Sequence, residues 1–233
     1  MIEYNSLLKL SWRGKPRQFC FYLNSSLKKE RRSKMEKNIL ETALPIFLTG
    51  KLVVLRPLHK ETDLESYWRW INDSSITRYL TTYLPMTYQQ EEEWFDKLGS
   101  RQNDISFAID TVKERKLIGA MRLFDINWKN RTATTGAFIG DKDYWGKGYG
   151  TDAKLILLEY AFNTLNLRKI NSSVMVYNER SLRYCLRCGY KEEGRLISQV
   201  YRFGKYWDEI LLAVFKEDWE KIWDLYQETG SIR

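Results

Sequence analysis

The chain has 233 residues, a formal net charge of +8 and a hydrophobic content of 43%. This length fits one domain of ordinary to large size with a short appendage, and the apolar fraction is ample for a packed core. No window approaches the roughly 18 consecutive apolar residues of a membrane-spanning helix, so the sequence predicts no membrane span.

The positive charge is concentrated at the N-terminus. Residues 1–34 contain nine Lys or Arg and two Glu, so this segment carries +7 and the remaining chain only +1. Nucleic-acid binding is therefore an option for residues 1–34 but is not expected of the rest. Two interpretations stay open: a disordered basic arm, or translation that starts at Met35. We place a basic extension at residues 1–47 and the folded domain at 48–233.

The cysteines favour a reducing compartment. Three cysteines, an odd number, argue against a disulfide framework and for the cytoplasm. Cys185 and Cys188 have C-x-x-C spacing, but no second pair exists and His59 is the single histidine. The sequence therefore predicts no metal site.

Taken in chain order, the elements predict a mixed α+β domain. Strands are expected at residues 51–56, 105–109, 117–123, 132–139, 169–177, 195–203 and 206–215. Helices are expected at residues 63–70, 150–165, 178–188 and 217–226, with one more beginning at Thr87. Residues 72–75 read as a turn, and Glu91, Glu92 and Glu93 fall in early helical turns where the helix dipole favours acids.

A glycine-rich turn joins the strand at 132–139 to the long helix that follows. Its sequence is Tyr144-Trp145-Gly146-Lys147-Gly148-Tyr149-Gly150-Thr151. Glycines permit positive φ and close backbone approach, while a helix start offers unsatisfied N–H groups and a positive dipole end. The turn is therefore suited to hold a pyrophosphate. Neither the Walker pattern nor the dinucleotide fingerprint fits it.

This segment resembles the acetyl-CoA motif of the GNAT superfamily of N-acetyltransferases, in the branch of ribosomal-protein N-terminal alanine and spermidine acetyltransferases. Three further matches follow that branch in order: its opening strand, its last motif and its closing hairpin. They are Leu55-Arg56-Pro57-Leu58, Asn178-Glu179-Arg180-Ser181 with Gly189-Tyr190, and Gly204-Lys205-Tyr206-Trp207-Asp208. The resemblance covers about residues 48–219. It implies a twisted, mostly antiparallel sheet, splayed at its centre and flanked by helices.

The resemblance also implies acetyl-CoA as co-substrate and the residues that bind it. The strand end would contact pantetheine, the glycine-rich turn would hold the pyrophosphate, and Asn178 would contact the pantetheine arm. The expected cofactor-binding residues are Phe138, Ile139, Gly140, Trp145, Gly146, Lys147, Gly148, Tyr149, Gly150, Thr151 and Asn178.

In such enzymes a neutral amine attacks the thioester directly within a ternary complex, which requires a proton acceptor and a proton donor. Many relatives carry a glutamate where this chain has Thr134, so that base is missing. Cys185 stands where relatives often place a general-acid tyrosine, and the adjacent Tyr184 is expected to point elsewhere, because one residue turns a helix by about 100°. A packing role for Cys185 is the alternative. By position, Asp208 and Glu193 are candidate bases.

The acceptor is expected to be a primary amine, either a protein N-terminus or a small molecule such as a polyamine. Its site would lie between the first two helices and the closing hairpin, which are rich in aromatics suited to a cation. These are Tyr67, Trp68, Trp70, Tyr79, Tyr83, Tyr88, Trp94, Tyr201, Tyr206 and Trp207. A monomer or homodimer is expected. An inactive acetyl-CoA sensor and a nucleic-acid binder acting through the basic arm remain alternatives.

Overall fold

The computed structural model describes residues 44–230, so the basic segment 1–34 and most of the predicted extension lie outside the described residues. Eight strands form one sheet in the order β1-β2-β3-β4-β5-β6-β8-β7. They are β1 (Leu48–Thr49), β2 (Val53–Pro57), β3 (Ile105–Thr111), β4 (Leu117–Asn127), β5 (Thr132–Ile139), β6 (Lys169–Met175), β7 (Lys191–Arg202) and β8 (Lys205–Phe215).

Six α-helices are described with the sheet. They are α1 (Lys60–Ile71), α2 (Ser74–Thr77), α3 (Tyr88–Asp96), α4 (Tyr149–Glu159), α5 (Glu179–Arg187) and α6 (Lys216–Thr229). All neighbouring strands pair antiparallel except β5 and β6. The expected α+β class with a mostly antiparallel sheet is therefore confirmed.

The sheet opens at its centre. The parallel strands β5 and β6 pair only from Thr132 to Thr134, opposite Lys169 to Asn171. Beyond Thr134, β5 stays paired with β4 as far as Ile139, and β6 stays paired with β8 as far as Met175. The two halves of the sheet thus diverge and leave a wedge between them, as the splayed sheet of the resemblance requires.

A buried ion network fixes α1 against the sheet. The Arg56 side chain on β2 is 1% exposed and donates to both carboxylate oxygens of Asp63, at 2.7 and 2.8 Å. It also donates from Nε to Asp110 on β3, at 2.7 Å. Burial raises the pKa of Asp110, and its bond to Arg56 opposes that rise. Because α1 carries part of the cavity wall described below, this network positions the site.

Several boundaries differ from the sequence prediction for local reasons. The helix expected to run to residue 165 ends at Glu159 and continues as a π-helical turn, Tyr160–Thr164. The expected turn after α1 contains the short helix α2, because the Asp73 carboxylate accepts the Ser75 N–H at 2.9 Å and caps it. Strand β7 begins earlier than expected and contains two bulges.

Contacts with the sheet begin just before the first strand. The Phe47 N–H donates to the Leu55 carbonyl at 2.9 Å, and the Phe47 ring stacks on Phe107 with centroids 5.6 Å apart. None of the helices within residues 44–230 has the length and apolarity that crossing a membrane would require.

Candidate active site

A cavity of about 790 Å³ occupies the wedge between β5 and β6. Its walls are the facing parts of these strands, the start of α4, the inner face of α5, and the α1–α3 region. The cavity is continuous, so a single bound molecule could reach from the glycine-rich turn to the centre of the sheet. The remaining space, beside α1 and α3, is then available to a second molecule.

The glycine-rich turn forms one end of this cavity. Gly146 and Gly148 have φ of +71° and +90°, in the left-handed region that favours glycine. A Cβ at Gly146 would meet nothing within 4 Å, which leaves its backbone open to a ligand. The Trp145 indole N–H donates to the Ile139 carbonyl at 2.7 Å and so attaches the turn to β5.

The start of α4 is held to the sheet by a buried carboxylate. Asp152 accepts the backbone N–H groups of Lys51, Leu52 and Val53 at 3.2, 2.8 and 2.9 Å. It also accepts the Tyr226 hydroxyl. The helix start is therefore fixed in direction, and its free N–H groups and positive dipole end can receive an anion.

Three arginines of α5, Arg180, Arg183 and Arg187, line the same cavity as this helix start. The Arg180 guanidinium lies 4.0 Å from the centroid of the Trp145 ring. Asn178 caps α5 by accepting the Ser181 N–H at 3.2 Å, and it also lines the cavity. Positive charge around a helix N-terminus suits a ligand that carries several phosphates.

The expected cofactor-binding residues divide into two groups. Eight line the cavity: Phe138, Ile139, Trp145, Gly146, Gly148, Gly150, Thr151 and Asn178. Gly140, Lys147 and Tyr149 are not among the lining residues. At Gly140 a Cβ would lie 2.0 Å from the Trp70 ring, so close packing with α1 accounts for this glycine.

Both Cys185 and Tyr184 line the cavity, so the expectation that Tyr184 points elsewhere is wrong. The Tyr184 ring packs beside Gly150, where an added Cβ would lie 3.8 Å from it in ordinary van der Waals contact. The Tyr184 hydroxyl is buried without a hydrogen-bond partner among the described residues. Burial raises the pKa of Tyr184 and that of the Cys185 thiol, whose rise is opposed by Lys154 and by hydrogen bonds with Ser172 and Ser181.

The other two candidate catalytic residues do not line the cavity. Glu193 pairs with Lys169 at 2.7 Å, and Asp208 accepts the Ser198 N–H at 2.9 Å. Thr134 does line it, but a threonine hydroxyl does not titrate near neutral pH. The assignment of Asp208 or Glu193 as the general base therefore stays a prediction. The position of these side chains outside the cavity lining does not favour it.

Sequence reasoning missed two buried charged groups in the same cavity, Lys154 and Glu91. Lys154 is 1% exposed, and its Nζ donates to the Thr135 hydroxyl at 2.6 Å. Burial lowers the pKa of Lys154. Glu91 of α3 is 3% exposed, and burial raises its pKa to about 7. The available signals were a lysine inside the apolar run 153–158, and a glutamate in helical register with Trp94 and Phe95.

A splayed sheet, a glycine-rich helix start and the arginines around it define a protein that binds a ligand bearing phosphates in the gap of the sheet. Comparison with known proteins identifies the family. Residues 53–191 match the family model described as the acetyltransferase (GNAT) domain. The chain therefore belongs to the GNAT acetyltransferases.

Named relatives agree with this assignment. The spermidine N(1)-acetyltransferase of Escherichia coli K12 is 28% identical over 167 residues, covering 72% of this chain and 88% of that protein. YdaF of Bacillus subtilis, provisionally named a ribosomal N-acetyltransferase, is 34% identical over 64% of this chain and 75% of its own length. The Vibrio cholerae spermidine N-acetyltransferase, solved with CoA and spermine, superposes with a TM-score of 0.67 at 26% identity, covering 72% of this chain and 98% of that one.

The protein is thus an acetyl-CoA-dependent N-acetyltransferase, and acetyl-CoA is its co-substrate. Two observations support the fit of this molecule to the cavity. The backbone at Gly146 is open to a ligand, and a side chain there would narrow the cavity. The buried Tyr184 hydroxyl has no hydrogen-bond partner among the described residues. No group of His, Cys, Asp and Glu side chains within residues 44–230 is arranged to hold a metal ion.

Proposed function

We propose that the acceptor is a small cationic primary amine of the polyamine class, acetylated by direct attack in a ternary complex. The observation that carries this proposal is the composition of the cavity beside α1 and α3. There the wall combines aromatic rings with a carboxylate, among them Tyr67, Trp94 and Glu91, and a second carboxylate, Glu209, lines the cavity from β8. Aromatic faces and carboxylates together bind alkylammonium groups.

A protein N-terminus is the second candidate acceptor. It is favoured by the similarity to YdaF, whose provisional name refers to ribosomal N-acetylation. The names of the spermidine acetyltransferases support the polyamine instead. A polyamine presents two or more cationic centres, so it gains from the two carboxylates of the cavity, whereas a peptide N-terminus presents one.

When bound, acetyl-CoA supplies the acetyl thioester, and the chain's own residues hold it and move protons. The α4 start with Arg180, Arg183 and Arg187 binds the phosphates. The Tyr184 hydroxyl is the favoured proton donor to the departing sulfur, because it is buried, unpartnered within the described residues and protonated at neutral pH. Cys185 is the second candidate, since its thiol already interacts with Ser172 and Ser181.

The acceptor is tested by measuring free thiol release with saturating acetyl-CoA and a panel of amines. The panel contains spermidine, spermine, peptides with free N-terminal alanine or serine, and an aminoglycoside. We expect kcat/KM for a polyamine to exceed that for every peptide by at least about 10-fold, equivalent to about 1.4 kcal/mol. Intersecting initial-rate lines are expected for a ternary complex. Faster peptide acetylation would overturn the polyamine assignment, and parallel lines would overturn direct attack.

The proton donor is tested by comparing Tyr184→Phe with Cys185→Ala. Removing a general acid costs about 10²-fold or more in kcat, so Tyr184→Phe should fall by that factor with little change in acetyl-CoA affinity. Cys185→Ala should stay within about a factor of five of the parent. The reverse pattern would assign the proton to Cys185, and two active variants would exclude both side chains.

A further inference from the structure

Glu91 is a carboxylate at a position where the fold otherwise places apolar side chains. It lies on the face of α3 that packs against α1, one helical turn before Phe95. Phe95 belongs to the buried cluster with Leu64, Tyr67, Ile71 and Ala120, and Met86, Trp94 and Phe138 pack against that cluster. A glutamate among these residues loses most of its hydration, which is costly unless something compensates the charge.

Nothing within residues 44–230 supplies that compensation. No hydrogen bond or ion pair joins the Glu91 carboxylate to another described side chain, whereas its neighbours Glu92 and Glu93 interact with Lys60 and Gln89. The side chain is 3% exposed and yet lines the cavity. A buried, unpartnered carboxylate that faces a cavity is a site for a cation from outside the chain.

The charged and titratable groups around Glu91 do not change this conclusion. From α1, Tyr67 faces it, and burial followed by the charge of Glu91 raises the pKa of that phenol. From β4, Arg122 is turned toward Asp104, with Nε 3.2 Å from the Asp104 carboxylate. Arg101, which precedes β3, also pairs with Asp104, at 3.3 Å. Both arginine side chains therefore pair with Asp104 and not with Glu91.

We propose that Glu91 binds the ammonium group of the acceptor and takes its proton, so that the neutral amine attacks the thioester. This role rests on the proposed amine acetylation and names its missing base. In the balanced step, the ammonium proton passes to a Glu91 oxygen, the N–C bond forms and the C–S bond breaks. The proton donor protonates the departing sulfur and is reprotonated by the second proton that the acetylated nitrogen loses, and Glu91 then releases its proton to water.

The electrostatics of the site suit this role. Burial raises the pKa of Glu91 to about 7, so the carboxylate is a stronger base than an exposed glutamate and is still available near neutral pH. An arriving ammonium group stabilises the charged carboxylate, which draws the amine and the base together. Glu209, the other carboxylate of the cavity, is more exposed, so it serves as a comparison.

The test compares the parent with Glu91→Gln, Glu91→Asp and the control Glu93→Gln, which alters an exposed glutamate on the same helix. For the best amine, kcat/KM is measured from pH 5.5 to 9, and acetyl-CoA binding is followed by thermal shift. We expect Glu91→Gln to lower kcat/KM by about 10²-fold or more and to lose the acidic limb near pH 7, with acetyl-CoA binding retained. Glu91→Asp should keep that limb at reduced rate, and Glu93→Gln should match the parent.

A second readout separates this inference from the choice of acceptor. Acetyl-CoA hydrolysis without any amine is measured for the same variants, because water then replaces the amine and needs the same base. If no polyamine is acetylated but Glu91→Gln lowers hydrolysis at least 10-fold, the acceptor is wrong and the role of Glu91 is supported. Glu91→Gln within about threefold of the parent in both assays, with an unchanged pH profile, would overturn the role of Glu91.

Discussion

Placing a carboxylate in the glycine-rich turn tests the acetyl-CoA site most directly. Gly148 lines the cavity with φ of +90°, and Gly204, at the tip of the β7–β8 hairpin, has φ of +78°. Glutamate at either position forces an L-residue into the left-handed region, which costs about 1–2 kcal/mol. A Cβ at Gly204 meets nothing within 4 Å, and one at Gly148 meets only the end of Leu52, at 3.4 Å. The two variants therefore share their backbone strain.

Only Gly148→Glu adds negative charge where the pyrophosphate is expected to lie. The unfolding entropy of a domain of this size is about 0.4 kcal/mol/K, so the strain should lower Tm by about 3–5 °C in both variants. Acetyl-CoA at 100 times its Kd stabilises a protein by about 2.7 kcal/mol, or about 7 °C here. We expect that gain for the parent and for Gly204→Glu, and less than about 2 °C for Gly148→Glu.

Differential scanning fluorimetry with acetyl-CoA, and with NAD as a ligand control, measures these shifts. A folded Gly148→Glu protein that retains the full acetyl-CoA shift would refute the assignment of this turn to the pyrophosphate. Loss of the shift in Gly204→Glu as well would mean that the strain, and not the cofactor site, controls the result.

Three further outcomes follow from the buried charges and the basic tail. Arg56→Met removes the guanidinium that bonds to two buried carboxylates, Asp63 and Asp110, and leaves Asp110 with the more distant Arg115 at 3.9 Å. It should destabilise the protein by about 3–5 kcal/mol in urea unfolding, whereas Arg69→Met, in an exposed pair, should stay within about 0.5 kcal/mol. The pKa of Glu91 is raised in the folded state, so the free energy of unfolding of the parent falls as pH rises from about 4.5 to 7. Glu91→Gln lacks this titration, so between pH 4.5 and 8 its free energy of unfolding, from the same urea experiment, should rise by up to about 3 kcal/mol relative to that of the parent. Removal of residues 1–34 should leave Tm and turnover on small amines unchanged, and a fall of several degrees would contradict this.

The parts of the fold that follow local rules could be predicted from the sequence. The alternate glycines, the short helix that starts at Asn178 and the hairpin turn at Gly204 each depend on residues a few positions apart, and all three lie where the sequence placed them. The splayed sheet came from the resemblance to a family. Strand pairing at β5 and β6 joins residues 37 positions apart, such as Thr134 and Asn171, and no local pattern encodes where it stops.

The buried groups of the cavity were harder to predict because burial depends on tertiary packing. The helix dipole accounts for three successive acids at the start of α3 but does not distinguish among them, and the packing of α3 against α1 buries Glu91 alone of the three. Similarly, the prediction that Tyr184 points away from the cavity used the rotation of about 100° between successive residues of a helix. That rotation holds for α5, but a cavity wall can include two neighbouring side chains of one helix. Tyr184 and Cys185 accordingly line the same cavity.

Glu91 and Lys154 together show how one cavity can treat its two ligands differently. Burial disfavours the charged form of both, so it raises the pKa of the acid and lowers that of the base. Each group is therefore most readily charged when a ligand of opposite sign arrives: an ammonium group beside Glu91, and the phosphates or departing sulfur toward Lys154. Amine binding should consequently strengthen as pH rises through 7, up to the point at which the amine itself loses its proton. A binding constant for the amine that does not change between pH 6 and 8 would contradict this reasoning.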